Sequence, residues 1–539
     1  MGRRRTIQDA MECITGIMSR REMLRQGGLA AGVASVSSGE TGPLTVRAFE
    51  AGGSPAGAGR LGSLLLINAA GRAFELLPQL KGEGLASIEL PKDKFELMMV
   101  LPVRDFGQVY LYADNAGAGY SGAPPDGREM LLNYEFARSR AALVRRYVKA
   151  ARAEGVTFSS AMEERLGRGE AALARANSAR EIRERVGHSD DSLAETMWAG
   201  EMAAVERARH RIGRQDPRPG FLFGTNAFVF ARSEEYARRF TALLNFATLP
   251  FYRAATERAE GSPDYSRVEA ILEKMAGTKL LTKGHPLVWF HRAGVPEFLK
   301  KKSWEELQRS CREYILRSVS RFRSRIHAWD VINEAHDWAN DLNLDPQQLV
   351  EITRLAAESV RVADPTAFRV VNSCCTWAEY VARRRSYSGP LNRVARTPLE
   401  YLQALEEARV PYEAIGLQVY YPVRDMLEIE RQLERFFVFG KPIHITELGV
   451  SSSSEPAPSG ENRTPSRNVW HGTEWSEQIQ ADWVEQFYTL CYSKPEIQAI
   501  SWWDLADPAF IPHGGFVYPD YRPKQSYERL SRLLAQWRG

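Results

Sequence analysis

Two glutamates that end hydrophobic runs are the residues best suited to chemistry in this sequence. Glu334 follows Asn333 in HAWDVINEAHDW, residues 327–338, and Glu447 follows Thr446 in PIHITELGV, residues 442–450. A buried carboxylate is costly unless it is paired, neutralised or used in a reaction. One interpretation is a pair of salt-bridged structural residues. The other is catalysis, because two carboxylates across one cleft can act as an acid–base group and a nucleophile.

Aromatic, imidazole and amide side chains end other hydrophobic runs. They are His285 and Trp289 in LLTKGHPLVWF, Asn333 beside Glu334, Gln418 and Tyr420 in AIGLQVYY, and Trp503 in AISWWDLAD. Aromatic rings stack on the apolar faces of sugars, while amides and imidazoles bond sugar hydroxyls. Alternate side chains along a strand point to opposite faces, so only one of Trp502 and Trp503 can face the cleft. Together with the two carboxylates, this set predicts hydrolysis of a glycosidic bond.

The segment 216–539 must position these side chains, and its pattern repeats. Eight strand-like runs alternate with helical stretches, which indicates parallel strands joined by right-handed crossovers. The runs are continuously apolar, as expected for strands covered on both sides. We therefore predict a (β/α)8 TIM barrel, an α/β fold whose functional groups gather at the carboxyl ends of the strands. Strands four and seven stand nearly opposite in such a ring, so Glu334 and Glu447 can face one cleft.

Two further regions precede the barrel. Residues 43–125 are short, strand-like runs separated by glycine, which predicts a small β-sandwich-like domain. Residues 126–215 are rich in Ala, Arg and Glu with apolar positions at helical spacing, which predicts a helical connector. The aromatic residues of the first region are expected to serve its core and its packing on the other domains, with sugar binding as the alternative.

Residues 1–42 are expected to lie outside the fold. Ser19-Arg20-Arg21, followed by small and weakly apolar residues, resembles a twin-arginine export signal. This interpretation predicts a periplasmic or extracellular protein. The alternative is a disordered basic tail on a cytoplasmic protein.

Composition argues against several classes of function. The chain has 71 basic and 67 acidic residues, a net charge of +4, so a nucleic-acid partner is not expected. It contains no apolar run of about 18 residues, so no membrane-spanning helix is expected. Its five cysteines show no metal-ligand spacing, and we predict neither a metal nor an organic cofactor. The sequence leaves the oligomeric state open.

The ordered motifs KGHPLVWF, WDVINEA, GLQVYY, HITELGV and SWWDLAD resemble glycoside hydrolase family 10, the retaining endo-β-1,4-xylanases. The resemblance spans about residues 220–539. It implies Glu334 as acid/base, Glu447 as nucleophile and Asn333 as a contact of the sugar 2-hydroxyl. It also implies that His285, Trp289, Gln418 and Trp503 line the sugar sites. The mechanism implied is double displacement on a polysaccharide or oligosaccharide, with the carboxyl groups about 5–5.5 Å apart.

Three positions depart from the family pattern. After the second strand the family carries a Glu-Asn pair and a Lys that grip the sugars, whereas this chain has Pro250, Phe251 and Tyr252. Tyr420 replaces a histidine, and its hydroxyl is expected to support Glu447 and keep it ionised. Gly449 replaces an aspartate. The departures keep two alternatives open: the same mechanism on another β-1,4-glycan, or a glycan-binding protein without turnover.

Overall fold

The computed structural model describes residues 43–122, 129–386, 389–393, 395–420, 422–456, 469–472 and 474–538. The predicted export signal or tail at residues 1–42 lies outside this part. Within it, no helix has the length and apolar character needed to cross a membrane.

The first region contains two small sheets. A four-stranded sheet has the order β3-β4-β1-β7 and a three-stranded sheet the order β2-β5-β6. The strands are β1 Leu44–Arg47, β2 Leu65–Ile67, β3 Gln79–Gly82, β4 Leu85–Ile88, β5 Glu96–Val103, β6 Gly107–Ala113 and β7 Met130–Leu131, with a short helix α1 Ala58–Leu61. Strand β7 lies in the segment assigned to the helical connector, yet it pairs with β1. The sheet region therefore takes in two residues beyond its predicted end.

Three long helices follow: α2 Leu132–Ala153, α3 Ser160–Ser178 and α4 Ile182–Ile212. Their apolar stripes face inward, with Phe136 and Val144 of α2 and Leu193 and Met197 of α4 buried in the main core. Helical spacing in the sequence reflects this shared packing face.

A closed barrel of eight parallel strands forms the third region, which confirms the predicted fold. Its strands are β8 Leu222–Asn226, β9 Phe246–Pro250, β10 Leu281–His285, β11 Ala328–Asn333, β12 Phe368–Ser373, β15 Ala414–Tyr420, β16 Ile443–Gly449 and β17 Ile497–Trp502. A hairpin, β13 Arg385–Ser386 and β14 Gly389–Pro390, lies in the loop after β12. Almost every residue of the barrel strands is buried, as their continuously apolar sequences predict.

The barrel helices are α5 Glu234–Leu243, α6 Arg253–Thr256, α7 Ser266–Lys274, α8 Trp304–Arg321, α9 Pro346–Ala363, α10 Pro398–Glu407, α11 Met426–Glu434, α12 Glu477–Tyr492 and α13 Gln525–Arg538. Helices α8, α9 and α10 begin with capping boxes on Ser303, Asp345 and Thr397. Each box satisfies backbone N–H groups of the first turn, which fixes where the helix begins.

The first region packs on the barrel at the carboxyl ends of its strands. The backbone N–H of Tyr110 in β6 donates to the carbonyl of Val423, in the loop after β15, at 2.9 Å. The N–H of Gln108 donates to the carbonyl of Val469, which precedes α12, at 3.0 Å. The sheet edge therefore lies against loops that surround the mouth of the barrel.

Arg424 joins the two regions through its buried guanidinium. It donates to the hydroxyl of Tyr112 at 2.7 Å and to the carboxylate of Glu379 at 2.7 Å. Its carbon Cζ lies 4.4 Å from the ring centre of Tyr110 and 4.6 Å from that of Trp377. The aromatic residues of the first region thus take part in packing between domains.

Candidate active site

Glu334 is positioned by an irregular end of strand β11. The pairing of β11 with β12 shifts register between Asp330 and Ile332, and Glu334 itself has a φ of 57°. A register shift re-aims the side chains beyond it, and a left-handed residue turns the chain out of the strand. The carboxylate accepts hydrogen bonds from the indole of Trp289 at 3.0 Å and the amide of Gln418 at 2.9 Å.

Glu447 lies inside strand β16, whose pairing with both neighbours is also shifted near this residue. Its carboxylate accepts hydrogen bonds from the hydroxyl of Tyr420 at 2.9 Å and the amide of Asn372 at 3.0 Å. The ring nitrogen Nε2 of His285 lies 3.7 Å from the same carboxylate. Donors from two other strands, β15 and β12, therefore hold Glu447.

A chain of amides connects the two carboxylates. The oxygen of Asn333 accepts from the Asn372 amide at 2.8 Å and from the Gln418 amide at 3.3 Å. The hydroxyl of Thr446 donates to the oxygen of Asn372 at 2.5 Å, which fixes the orientation of that amide. Because both bonds engage the oxygen of Asn333, its nitrogen is the end that can donate to a sugar hydroxyl.

His285 is oriented by a buried ion pair. Its Nδ1 lies 2.7 Å from a carboxylate oxygen of Asp330, which also bonds the ammonium of Lys283 at 2.7 Å. Burial lowers the pKa of His285, so the ring is neutral at neutral pH. A neutral ring that donates from Nδ1 to Asp330 presents Nε2 as an acceptor toward the cleft.

Aromatic rings line the site around His285 and Trp289. Trp503 lies edge-on to His285 with the ring centres 5.3 Å apart, and Tyr252 lies 5.6 Å from His285 and 5.7 Å from Trp289. Trp502 packs instead on Phe516 at 4.7 Å and is buried. Of the two adjacent tryptophans, Trp503 is therefore the one that faces the site.

Burial raises the pKa of both carboxyl groups. For Glu447 burial and then the nearby charge of Glu334 raise the pKa to about 8, although Lys283 and the Tyr420 hydroxyl act in the opposite direction. For Glu334 burial raises the pKa, and hydrogen bonds from Gln418 and Trp289 lower it less. Burial therefore favours the protonated form of each carboxyl, whereas the hydrogen bonds that each accepts favour the ionised form.

The expected effect of Tyr420 on Glu447 is thus only half right. Its hydrogen bond does favour the ionised form, as predicted. Burial outweighs that bond and raises the pKa of Glu447 to about 8, which runs against the prediction that Glu447 is kept ionised. A sugar whose anomeric carbon becomes positive would favour the ionised carboxylate.

The structure brings all eight predicted site residues into one hydrogen-bonded or stacked group, and sequence reasoning missed three others. Asn372 is the penultimate residue of strand β12, where a polar residue after an apolar run was the available signal. Asp330 lies within a buried strand, and nothing local in the sequence reveals its pairing with Lys283. Tyr252 is one of the residues after β9 that depart from the family pattern. Its neighbour Phe251 is buried in the core.

Substitution of Tyr420 by phenylalanine is expected to move the acid limb of the pH profile of kcat/KM to higher pH. The hydroxyl stabilises the ionised form of Glu447, so its removal raises the pKa further, by about one unit for one hydrogen bond. The measurement is kcat/KM across pH for wild type and variant. Tyr488→Phe is the matched control because its buried hydroxyl has no hydrogen-bond partner in the described structure. An unshifted limb in Tyr420→Phe would contradict this role.

Comparison with known proteins gives a family match and several relatives. Residues 251–510 match the family model described as "Glycosyl hydrolase family 10". The chain is 24% identical over 340 residues to Endo-1,4-beta-xylanase B of Thermotoga neapolitana, with 59% of this chain and 88% of that protein covered. It is 26% identical over 224 residues to Endo-1,4-beta-xylanase A of Phanerodontia chrysosporium, with 40% of this chain and 51% of that protein covered.

A solved structure of xylanase 10B from Thermotoga petrophila RKU-1 in complex with xylobiose gives a TM-score of 0.47 at 20% identity. That match covers 61% of this chain and 96% of the other. The family match runs from the end of β9 to the loop after β17. It therefore includes all eight predicted site residues.

Proposed function

Residues 251–510 form a glycosyl hydrolase family 10 domain, as the motifs predicted, and we propose that the chain cleaves β-1,4-xylosidic bonds inside xylan with retention of configuration. The observation that supports this proposal most directly is the pair Glu334 and Glu447. Separate donors hold the two carboxylates, and the amides of Asn333 and Asn372 connect them. The xylanases among its relatives supply the substrate class.

In the first step Glu447 attacks the anomeric carbon while protonated Glu334 gives its proton to the leaving oxygen. The glycosidic bond breaks and a glycosyl ester on Glu447 forms. The proton must reside on Glu334 at that moment. Growth of positive charge on the sugar beside Glu447 favours this distribution because it stabilises the ionised form of Glu447, while burial favours the protonated form of Glu334.

In the second step Glu334 acts as a base. It takes a proton from water, the hydroxide oxygen bonds to the anomeric carbon, and the ester to Glu447 breaks. The indole of Trp289 and the amide of Gln418 each bond one oxygen of Glu334 and so fix the direction of proton transfer. Two inversions at one carbon give net retention.

A second candidate substrate is another β-1,4-glycan cleaved by the same mechanism. Tyr252 favours this candidate, since it occupies the position after β9 where the family carries charged and amide residues that grip the sugar. It offers one hydroxyl and one ring close to His285 and Trp289. Compared with charged and amide residues, a tyrosine at this position makes fewer hydrogen bonds to sugar hydroxyls and more stacking contact with the sugar.

The test is release of reducing ends from β-1,4-linked xylans, glucans and mannans by wild type and Glu334→Ala. We expect release from xylan by wild type and its loss in the variant. Release from glucan or mannan alone would show that the substrate is another β-1,4-glycan, cleaved by the same mechanism. If folded wild-type protein releases nothing from any polymer yet binds one of them, the chain is a glycan-binding protein and the proposal fails.

A further inference from the structure

A cavity lies between the loop after β16 and the loop after β17. Its volume is about 1150 Å³, and neither Glu334 nor Glu447 lines it. The lining comes from Ser452 and Ser453, the first turn of α12, residues 507–513 and the segment before α13. A cavity of this size can hold a monosaccharide with its water.

Phe510 lines this cavity and also contacts Tyr420 of the catalytic site. Its ring is 48% exposed and lies 5.2 Å from the ring of Tyr420, whose hydroxyl bonds Glu447. The loop that carries it packs closely on strand β16 at Gly449, where an added Cβ would lie 3.0 Å from a side-chain carbon of Ile511. The departure at Gly449 therefore suits this close packing.

The lining suits a sugar because aromatic rings alternate with hydroxyl and amide groups. Trp475, Phe510 and Tyr518 provide the rings, and Ser452, Ser453 and Gln478 provide hydrogen-bonding groups. Aromatic rings stack on the apolar faces of sugars and the small polar groups bond hydroxyls. No bulky aliphatic side chain lines the described part of this cavity.

The charges of the lining favour an uncharged sugar. Lys524 is the only lysine or arginine among the described lining residues, and its ammonium bonds the carboxylate of Asp507 at 2.6 Å and the hydroxyl of Ser452 at 3.0 Å. The remaining carboxylate, Glu477, accepts from the hydroxyl of Tyr518 and the backbone of Gln525. Among the described lining residues, no uncommitted lysine or arginine would balance a uronic acid beside Glu477.

We propose that this cavity binds an uncharged monosaccharide branch on the polysaccharide, next to the bond that is cleaved. The inference rests on the proposed function and adds a preference: xylan with neutral branches is cleaved better than xylan with uronic acid branches. Tyr420 and Phe510 span the distance from the main-chain sugar at Glu447 to the cavity.

The test compares kcat/KM on linear xylohexaose, an arabinosyl-branched xylo-oligosaccharide and a glucuronosyl-branched one. The variant Gln478→Trp places a large ring in the cavity, and Gln347→Trp is the matched control. Both glutamines are exposed, occupy the second position of their helices, and bond an acid four residues on. We expect Gln478→Trp to lose roughly tenfold on the arabinosyl substrate alone, and the control to lose nothing.

An unchanged rate of Gln478→Trp on the arabinosyl substrate, or faster wild-type cleavage of the glucuronosyl one, would overturn the inference. Calorimetry in a Glu447→Gln background gives a readout without turnover. There the added Gln478→Trp is expected to raise the Kd of the arabinosyl substrate roughly tenfold, and an equal Kd overturns the inference. Absence of xylohexaose cleavage by wild type would instead contradict the proposed function, whatever the effect of Gln478→Trp on the Kd of the arabinosyl substrate.

Discussion

Substitution of Glu447 by glutamine is expected to reduce turnover of xylan by about 10⁵-fold, equivalent to about 7 kcal/mol in the barrier. The amide has nearly the shape of the carboxylate but cannot form the glycosyl ester, so the covalent route is lost. It can still accept the hydrogen bond from Tyr420. Binding of the sugar should therefore persist while the chemistry stops.

Reducing-end release measures the loss, and calorimetry on the same protein measures retained binding. Glu428→Gln is the control, since Glu428 is also a buried glutamate of the barrel but bonds Arg431 and Gln432 away from the cleft. Its kcat is expected to stay within about twofold, since surroundings far from the site rarely affect the barrier. Retention of a tenth or more of the activity by Glu447→Gln would remove Glu447 from the role of nucleophile.

A complementary variant, Glu447→Gly, opens space for a small anion. Azide can then attack the anomeric carbon once, from the face that Glu447 occupied, while Glu334 protonates the leaving oxygen. One displacement gives inverted configuration in the glycosyl azide, whereas the wild-type reaction gives retention. Nuclear magnetic resonance of the product distinguishes the two anomers, and a retained azide would contradict the assignment.

The barrel was predictable because each of its strands has a recognisable apolar pattern in the local sequence. Runs such as FRVVNS and AIGLQVYY are apolar along their whole length, and the structure has strands at Phe368–Ser373 and Ala414–Tyr420. The helical stretch between the fourth and fifth strand-like runs forms α9, which Asp345 caps and Pro346 begins. Periodicity and capping depend on residues that are close together in the sequence, so these elements can be predicted without the tertiary structure.

The carboxylates were predictable for a topological reason. In a parallel barrel every strand delivers its last residues to one face, so two glutamates that end strands four and seven must share that face. The fine positions were not predictable. The register shifts before Glu334 and Glu447, and the φ of 57° at Glu334, arise from packing between strands that are far apart in sequence.

Residues whose partners are distant in the sequence were missed for the same reason. Lys283 and Asp330 are 47 positions apart yet bond at 2.7 Å, and a charged residue within an apolar strand gives no sign of its partner. Trp470 shows the same limit. It lies in the loop after β16, yet its indole donates to buried Glu201 in α4 at 2.8 Å. Only tertiary structure separates a packing tryptophan from a binding one.

The effect of burial on charge was likewise beyond the sequence. Tyr420 was correctly paired with Glu447, but the balance between one hydrogen bond and desolvation depends on the whole surrounding shell. Burial and the charge of Glu334 together exceed the contributions of Tyr420 and Lys283, so the pKa of Glu447 reaches about 8. Such a balance is a sum over residues from several strands.

Substitution of Glu334 by alanine is expected to have an effect that depends on the leaving group. With xylan, whose leaving oxygen needs a proton, kcat/KM should fall about 10³–10⁴-fold because the general acid is lost. With 2,4-dinitrophenyl β-xylobioside the leaving group departs without a proton, so kcat/KM should fall less than about tenfold. The second step still lacks its base, so the glycosyl ester on Glu447 accumulates.

That accumulation is visible as a burst of dinitrophenol close to one per protein molecule, followed by slow turnover. Azide needs no base, so it should accelerate the slow phase and give a glycosyl azide of retained configuration, opposite to the product expected from Glu447→Gly. An equal loss on both substrates, with no burst, would mean that Glu334 binds or positions the sugar and does not transfer the proton. The two azide products together therefore assign each carboxylate to its own face of the sugar.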